Sequence, residues 1–183
     1  MDAIEELIAR DKIRQLAERY AFTVDGKDID GVAELFLEGL DNGKYGTGRE
    51  GVRTFYDNVL RKFHCTMHLV ANHIIDFDDD THAHGAVYCR AQHHIVDPEP
   101  EYWFDEAYIY WDTYEKVGDD WFFAKRDLRA WYHQEFNHPE HGTDRIPPVP
   151  HNSAMRGAQM PDAFPTYASY WERPPRPIPG RKA

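Results

Sequence analysis

Ile4, Leu7, Ile8, Leu16, Tyr20 and Ala21 recur at helical spacing, interrupted by a charged turn at residues 10–12, and predict a helix over about residues 3–23. Asp2 and Glu5 have capping-box spacing at its start, with Asp in place of the usual Ser or Thr. Asp28 is placed to cap a short second helix carrying Val32, Leu35 and Phe36. Residues 38–48 hold four glycines and read as loop. Val52, Phe55, Tyr56, Val59 and Leu60 then mark a third helix over about residues 49–63. Beyond it the pattern changes. Residues 64–78, 81–96, 101–116 and 120–136 are rich in β-branched and aromatic side chains, with turn residues at 78–80, 97–100 and 117–120. Long strands joined by short loops predict an antiparallel meander. Helices followed by strands predict an α+β domain with the helices on one face of a curved sheet.

The pattern ends at Phe136. Ten of the twelve prolines lie between Pro139 and Pro179, and no periodicity survives there. The chain therefore divides into a domain over residues 1–136 and an extended tail over 137–183. Phe164, Tyr167, Tyr170 and Trp171 are too apolar for a free linker, so the tail is expected to wrap the domain or a neighbouring subunit.

Composition narrows the function. At 183 residues, 42% hydrophobic and 14% aromatic, the chain has enough apolar surface for one packed domain. A formal charge of −11 argues against nucleic acid and against an anionic membrane face as partners. Cys65 and Cys89 lie in apolar strand contexts and read as buried thiols of a reducing compartment. The acidic start differs from a signal peptide, and no apolar run approaches the ~18 residues of a membrane span. The expectation is a soluble, cytoplasmic protein.

Strand alternation sorts the candidate chemistry, because alternate residues share a face. Over 64–74 one face holds His64, Thr66, His68, Val70, Asn72 and Ile74. Over 85–95 it holds Val87, Cys89, Ala91 and His93, and on the last strand Phe122, Ala124, Arg126, Leu128 and Ala130. Histidines and an arginine in an apolar lining suit a small-molecule pocket, with His64, Asn72, Phe122 and Leu128 as its wall. Asp25, closing the first helix, and His68 are the residue types of a base and its orienter: the carboxylate fixes the tautomer and the other ring nitrogen takes the proton. Tyr20, Arg126 and His93 are the assisting candidates. Each has a plainer reading: an ordinary turn at Asp25–Gly26, a core histidine at 93, a rim ion pair at Arg126, a buried stripe at Tyr20. Eleven histidines invite a metal, yet His64/His68, His82/His84 and His93/His94 match no zinc-helix spacing. No dinucleotide loop, phosphate loop or nucleophile elbow occurs, so no cofactor and no metal are expected.

Tyr20-x-x-x-x-Asp25-Gly26-Lys27, His64-x-x-x-His68 and Trp121-x-x-x-Lys125-Arg126, in this order, resemble the SnoaL-like branch of the nuclear transport factor 2-like superfamily, which includes scytalone dehydratase, bile acid 7α-dehydratase and hexachlorocyclohexane dehydrochlorinase. The resemblance covers residues 1–136. It implies a cone-shaped barrel of strongly bent, mixed but mostly antiparallel sheet closed by three helices. It also implies His68 as base, Asp25 as its orienter, Arg126 facing the cavity and His93 as a second histidine. The implied activity is a cofactor-free lyase acting on a cyclic or aromatic small molecule, with an isomerase or cyclase, or a non-catalytic subunit, as the other family outcomes. The implied assembly is a homotrimer, with a dimer second.

Overall fold

The computed structural model of the chain describes residues 1–95, 102–136, 161 and 163–180. Helix α1 spans Ala3–Asp25, and its capping box is complete: Asp2 accepts from the Ile4 and Glu5 amides while Glu5 accepts from the Asp2 amide. Its buried stripe is Ala9, Ile13, Leu16, Ala17, Tyr20, Ala21 and Val24. The expected stripe fails in the first two turns. Ile4, Leu7 and Ile8 are more than half exposed, and Leu7 and Ile8 edge a surface groove instead. Asp28 accepts from the Gly31 amide at 2.9 Å and caps helix α2 (Ile29–Glu34). After a loop with a short 3₁₀ turn comes helix α3 (Gly48–Leu60).

Strands β1 (Cys65–Phe77), β2 (His82–Ile95), β3 (Tyr102–Val117) and β4 (Asp120–Phe136) form an antiparallel meander in the order β1-β2-β3-β4. The predicted turn at 97–100 lies outside the described residues. The expected barrel is a cone left unclosed: β1 and β4 are the two edges of the sheet, and α1 packs on both. Among the described residues the one parallel element is the bridge Phe36↔Phe123, which fastens the chain after α2 to the edge strand β4.

Among the described residues, three bulges bend this sheet. Val70 faces Cys89 and His73 faces Val87, so Ala71 and Asn72 share a single partner position on β2. On β4, Ala124 and Trp131 are the extra residues. A bulge adds one residue to one strand, which sharpens its twist and reverses the alternation beyond it. The consequences correct the reading from strict alternation. Past the first bulge His73 and Ile75 turn inward, while Asn72 is exposed and Ile74 is 58% exposed. Asn72 is therefore not part of the inner wall. Before the bulge at Ala124 it is Phe123 that is fully buried, and Phe122 turns to the outer groove with Leu7 and Ile8. β2 and β3 carry no extra residue and keep one alternation throughout, with Ala83, Val87, Cys89, Ala91 and His93 inside on β2 and Tyr108, Tyr110, Asp112 and Tyr114 inside on β3.

The described part of the tail packs on the helices. It forms helix α4 (Tyr167–Glu172), a short element the proline-rich composition hid. Tyr170 donates to the Asp57 carbonyl at 2.7 Å, Arg61 donates to the Arg173 carbonyl at 2.9 Å, and Phe164 meets Phe22 edge-on at 5.2 Å. Gly26 makes room for this contact, since a Cβ there would lie 2.9 Å from the Phe164 ring.

Candidate active site

Asp25 is the last residue of α1, and its side chain is only 12% exposed. A carboxylate there faces the negative end of the helix dipole and needs compensation. Three donors from β1 provide it. The Thr66 hydroxyl donates to Oδ1 at 2.7 Å, the His68 amide donates to Oδ2 at 2.9 Å, and His68 Nδ1 lies 2.6 Å from Oδ1. An ionised carboxylate only accepts, so Nδ1 carries the hydrogen and Nε2 is left as the basic nitrogen. The strand that presents His68 thus also orients its partner, through the amide of the same residue and the hydroxyl two positions earlier.

The ring of His68 is 6% exposed and sits among aromatic neighbours. The rings of His93, Tyr20 and Tyr108 lie 5.6, 6.4 and 6.4 Å away. His93 stacks on Phe104 at 4.6 Å, and its Nε2 is 3.4 Å from the Tyr108 hydroxyl. Burial, then the neighbouring His68 and His133, push its pKa down to about 3. His93 therefore stands beside the dyad as a neutral ring, able to hydrogen-bond but not to donate as an imidazolium at neutral pH. The Tyr20 hydroxyl accepts from Tyr56 at 3.3 Å, and burial raises its pKa, so it remains a donor.

Arg126 is held differently from the expected rim pair. It clasps Asp112 with two bonds of 2.9 and 2.7 Å, and both side chains are nearly sealed. Its guanidinium lies 4.1–4.3 Å from the ring centres of Tyr20, Tyr110 and Phe123. Asp112 also accepts from Tyr114, whose hydroxyl is 2.9 Å from His73 Nε2. Asp112, Tyr114 and His73 were missed. Asp112 had a signal, a lone carboxylate alternating with Tyr108, Tyr110 and Tyr114; His73 had none without knowledge of the bulge.

A cavity of about 290 Å³ reaches Arg126 and Tyr56, with Phe36, Tyr45, Phe55 and Lys125 among its walls. Its lining includes neither member of the dyad. Leu128 lies opposite Tyr110 on the inner face but is 47% exposed. His64 precedes β1 and is turned to other partners: its ring meets His94 at 5.2 Å, and its carbonyl and Nδ1 meet the Tyr167 hydroxyl at 2.7 and 3.3 Å. Cys65 and Cys89 are buried, as expected. Among the described residues no helix is long and apolar enough to cross a membrane.

Several solved structures share this fold. A candidate scytalone dehydratase from Novosphingobium aromaticivorans is 24% identical, with a TM-score of 0.62 over 74% of this chain and 92% of its own. The hexachlorocyclohexane dehydrochlorinase LinA-type3 from Novosphingobium barchaimii is 21% identical, with a TM-score of 0.65 over 73% and 93%. A protein of unknown function from Mycobacterium tuberculosis is 19% identical, with a TM-score of 0.56, and covers 94% of this chain and 89% of its own, so its likeness extends past the cone into the tail. No curated protein is similar enough in sequence to count as a relative. The SnoaL-like domain family matches residues 5–127, which takes in nearly all of α1, the whole of α2 and α3, the dyad and Arg126; the chain belongs to that family.

Proposed function

We propose that the protein is a cofactor-independent lyase acting on a cyclic or aromatic, mostly apolar small molecule. The observation that carries this reading is the 2.6 Å contact between His68 Nδ1 and Asp25, which leaves Nε2 as a base inside an aromatic enclosure. His68 takes a proton from a substrate carbon. The electron pair left behind forms the new double bond as hydroxide departs, and the proton is then returned to the hydroxide as water. Asp25 stabilises the imidazolium that forms in between. Tyr20, whose ring lies 6.4 Å from that of His68, donates to the departing oxygen, and Arg126 sets its ring in place. Halide loss, or retro-aldol cleavage of a carbon–carbon bond, would use the same base. The likeness to a dehydratase and a dehydrochlorinase supports elimination in particular.

The outer face of the sheet exposes Met67 (44%), Leu69 (54%), Ile74 (58%), Tyr88 (39%) and Trp111 (53%), an apolar surface suited to burial between subunits. The proposed assembly is a homotrimer, and sedimentation at micromolar protein reads it.

The decisive experiment incubates the full chain and its His68→Ala variant with a panel of cyclic and aromatic alcohols and halides, with products weighed by mass spectrometry. Loss of water or hydrogen halide, reduced about 10²–10⁴-fold in the variant, is expected. Product of unchanged mass would assign an isomerase instead. Full activity in His68→Ala would remove the assignment of the base.

A further inference from the structure

Lys27 is a lysine where a lysine is costly. It is 2% exposed, and its backbone has φ of 53°, a region that non-glycine residues rarely occupy. Its ammonium donates to the carbonyls of Leu60 and Phe63, both at 2.9 Å, and so caps the C-terminal end of α3. Its remaining side is closed by the rings of Tyr167, Tyr170 and Trp171, whose centres lie 5.9, 5.1 and 5.0 Å from Nζ. All three rings belong to α4. A strained backbone and a buried cation together are a double cost, and such costs concentrate where a geometry must be held.

The geometry held here is that of the dyad. Lys27 follows Asp25 by two residues. Phe63 precedes Thr66 by three and His68 by five. We propose that Lys27, caged by α4, is a positioning residue for the dyad: its ammonium ties the end of α1, which presents Asp25, to the turn leading into β1, which presents His68. Two further bonds, one from α4 and one from the residue before it, fall on the same two segments. Thr166 donates to the Gly26 carbonyl at 2.5 Å, and Tyr167 donates to the His64 carbonyl at 2.7 Å. The tail thereby holds both flanks of the pair from outside the cone, and Lys27 is the post to which it is fastened. Burial lowers the Lys27 pKa to about 8, with Asp25 and Cys65 pulling it upward, so the ammonium is largely charged at neutral pH. The inference rests on the lyase reading for its consequence in catalysis, but its geometric content does not.

The test therefore uses a readout that needs no substrate. In the full-length chain labelled with ¹⁵N, the His68 ring nitrogens and the Nδ1–H proton are followed by NMR and assigned by their loss in His68→Ala. Lys27→Met should keep the fold, because relief of a buried charge offsets the bonds it loses, while the Nδ1–H resonance moves or broadens and the ring samples the other tautomer. Trp171→Ala, which opens one wall of the cage at a partly exposed position, should produce a smaller shift in the same direction. Lys27→Arg, which keeps the cation, should stay near the parent. Where a substrate is in hand, Lys27→Met should lower kcat about 10–100-fold with little change in KM, as expected of a displaced base. A folded Lys27→Met with an unchanged His68 spectrum overturns the proposal. Should Lys27→Met fail to fold, an unchanged spectrum in Trp171→Ala overturns it instead. A changed spectrum in a protein that eliminates nothing would sink the lyase reading and leave the positioning intact.

Discussion

Asp25 and Asp112 are two of the buried carboxylates of this chain, and their partners make them different instruments. Asp112 meets Arg126 in a two-bond ion pair walled by three aromatic rings, with both side chains at 5% exposure or less. A guanidinium stays charged, so this pair has no proton to exchange at any ordinary pH. Asp25 meets an imidazole instead, together with a hydroxyl and an amide. In the proposed reaction the imidazole takes up the substrate's proton, and the carboxylate stabilises the imidazolium. The same residue type thus supports rigidity at one place and, in the proposed lyase, chemistry at another, and the partner decides which.

The contrast can be broken by substitution. The largest stability effect should come from Asp112→Ala, which leaves a sealed guanidinium without its counter-charge; a loss of about 3–5 kcal/mol in urea unfolding is expected. A loss below about 1 kcal/mol would show that Arg126 finds other partners and that the pair is not the rigid centre. Asp25→Asn should do the reverse. An amide offers one acceptor where both carboxylate oxygens accept, so about 1–3 kcal/mol of stability should go. Turnover should fall by about 10²-fold or more, since the charge that stabilises the imidazolium is gone. Equal turnover in Asp25→Asn and the parent would erase the functional half of the comparison.

Acid provides a third probe. The folded pKa of His93 lies at about 3, below its unfolded value near 6.5. Between these values the unfolded chain binds the extra proton. The contribution of His93 is therefore complete above about pH 6.5 and is lost as pH falls toward 3, with a limiting slope of about 1.4 kcal/mol per pH unit. His73, with its pKa lowered to about 4 chiefly by burial, acts in the same direction. In His93→Phe the stability curve should be flatter over this window; an unchanged curve would mean that the ring is not buried in its neutral form. The smallest effect should be that of Thr66→Val. It removes one of three bonds to Asp25 in a shape-conserving way, at about 1 kcal/mol in stability, and should slow turnover several-fold with the pH profile preserved.

Much of this arrangement was legible in the sequence, for reasons that are local. The capping residues Asp2 and Asp28 act within one turn of the chain, and both act as their spacing predicts. The four strands fall within two residues of their predicted bounds because turn residues separate them. Asp25 and His68 could be paired because residues 64–68 precede the first bulge. Beyond it, alternation placed Asn72 on the inner wall when His73 occupies that side, and the bulge at Ala124 exchanged Phe122 for Phe123 in the same way. A bulge adds one residue whose effect on every later side chain is large, and nothing in the composition of Val70-Ala71-Asn72-His73 announces it. Arg126 was recognised without its partner, since Asp112 lies on another strand. The role of Lys27 depends on carbonyls 33 and 36 residues away and on rings in the tail, which no local pattern can connect.

The sheet that does not close has a mechanical consequence. A split ring yields at its cut. Here the cut runs between β1 and β4, and α1 bridges it unequally. Toward β1 the helix is secured by Arg10 on the Ile75 carbonyl and by the three bonds that converge on Asp25. Toward β4 the described polar ties are those of Lys12 to Asp119 and Asp120, at the hairpin tip. The hydrogen bonds of α1 are thereby denser toward β1, where they hold the two halves of the dyad together. In the proposed enzyme, an opening at this cut would part α1 from β4 without parting the base from the group that orients it.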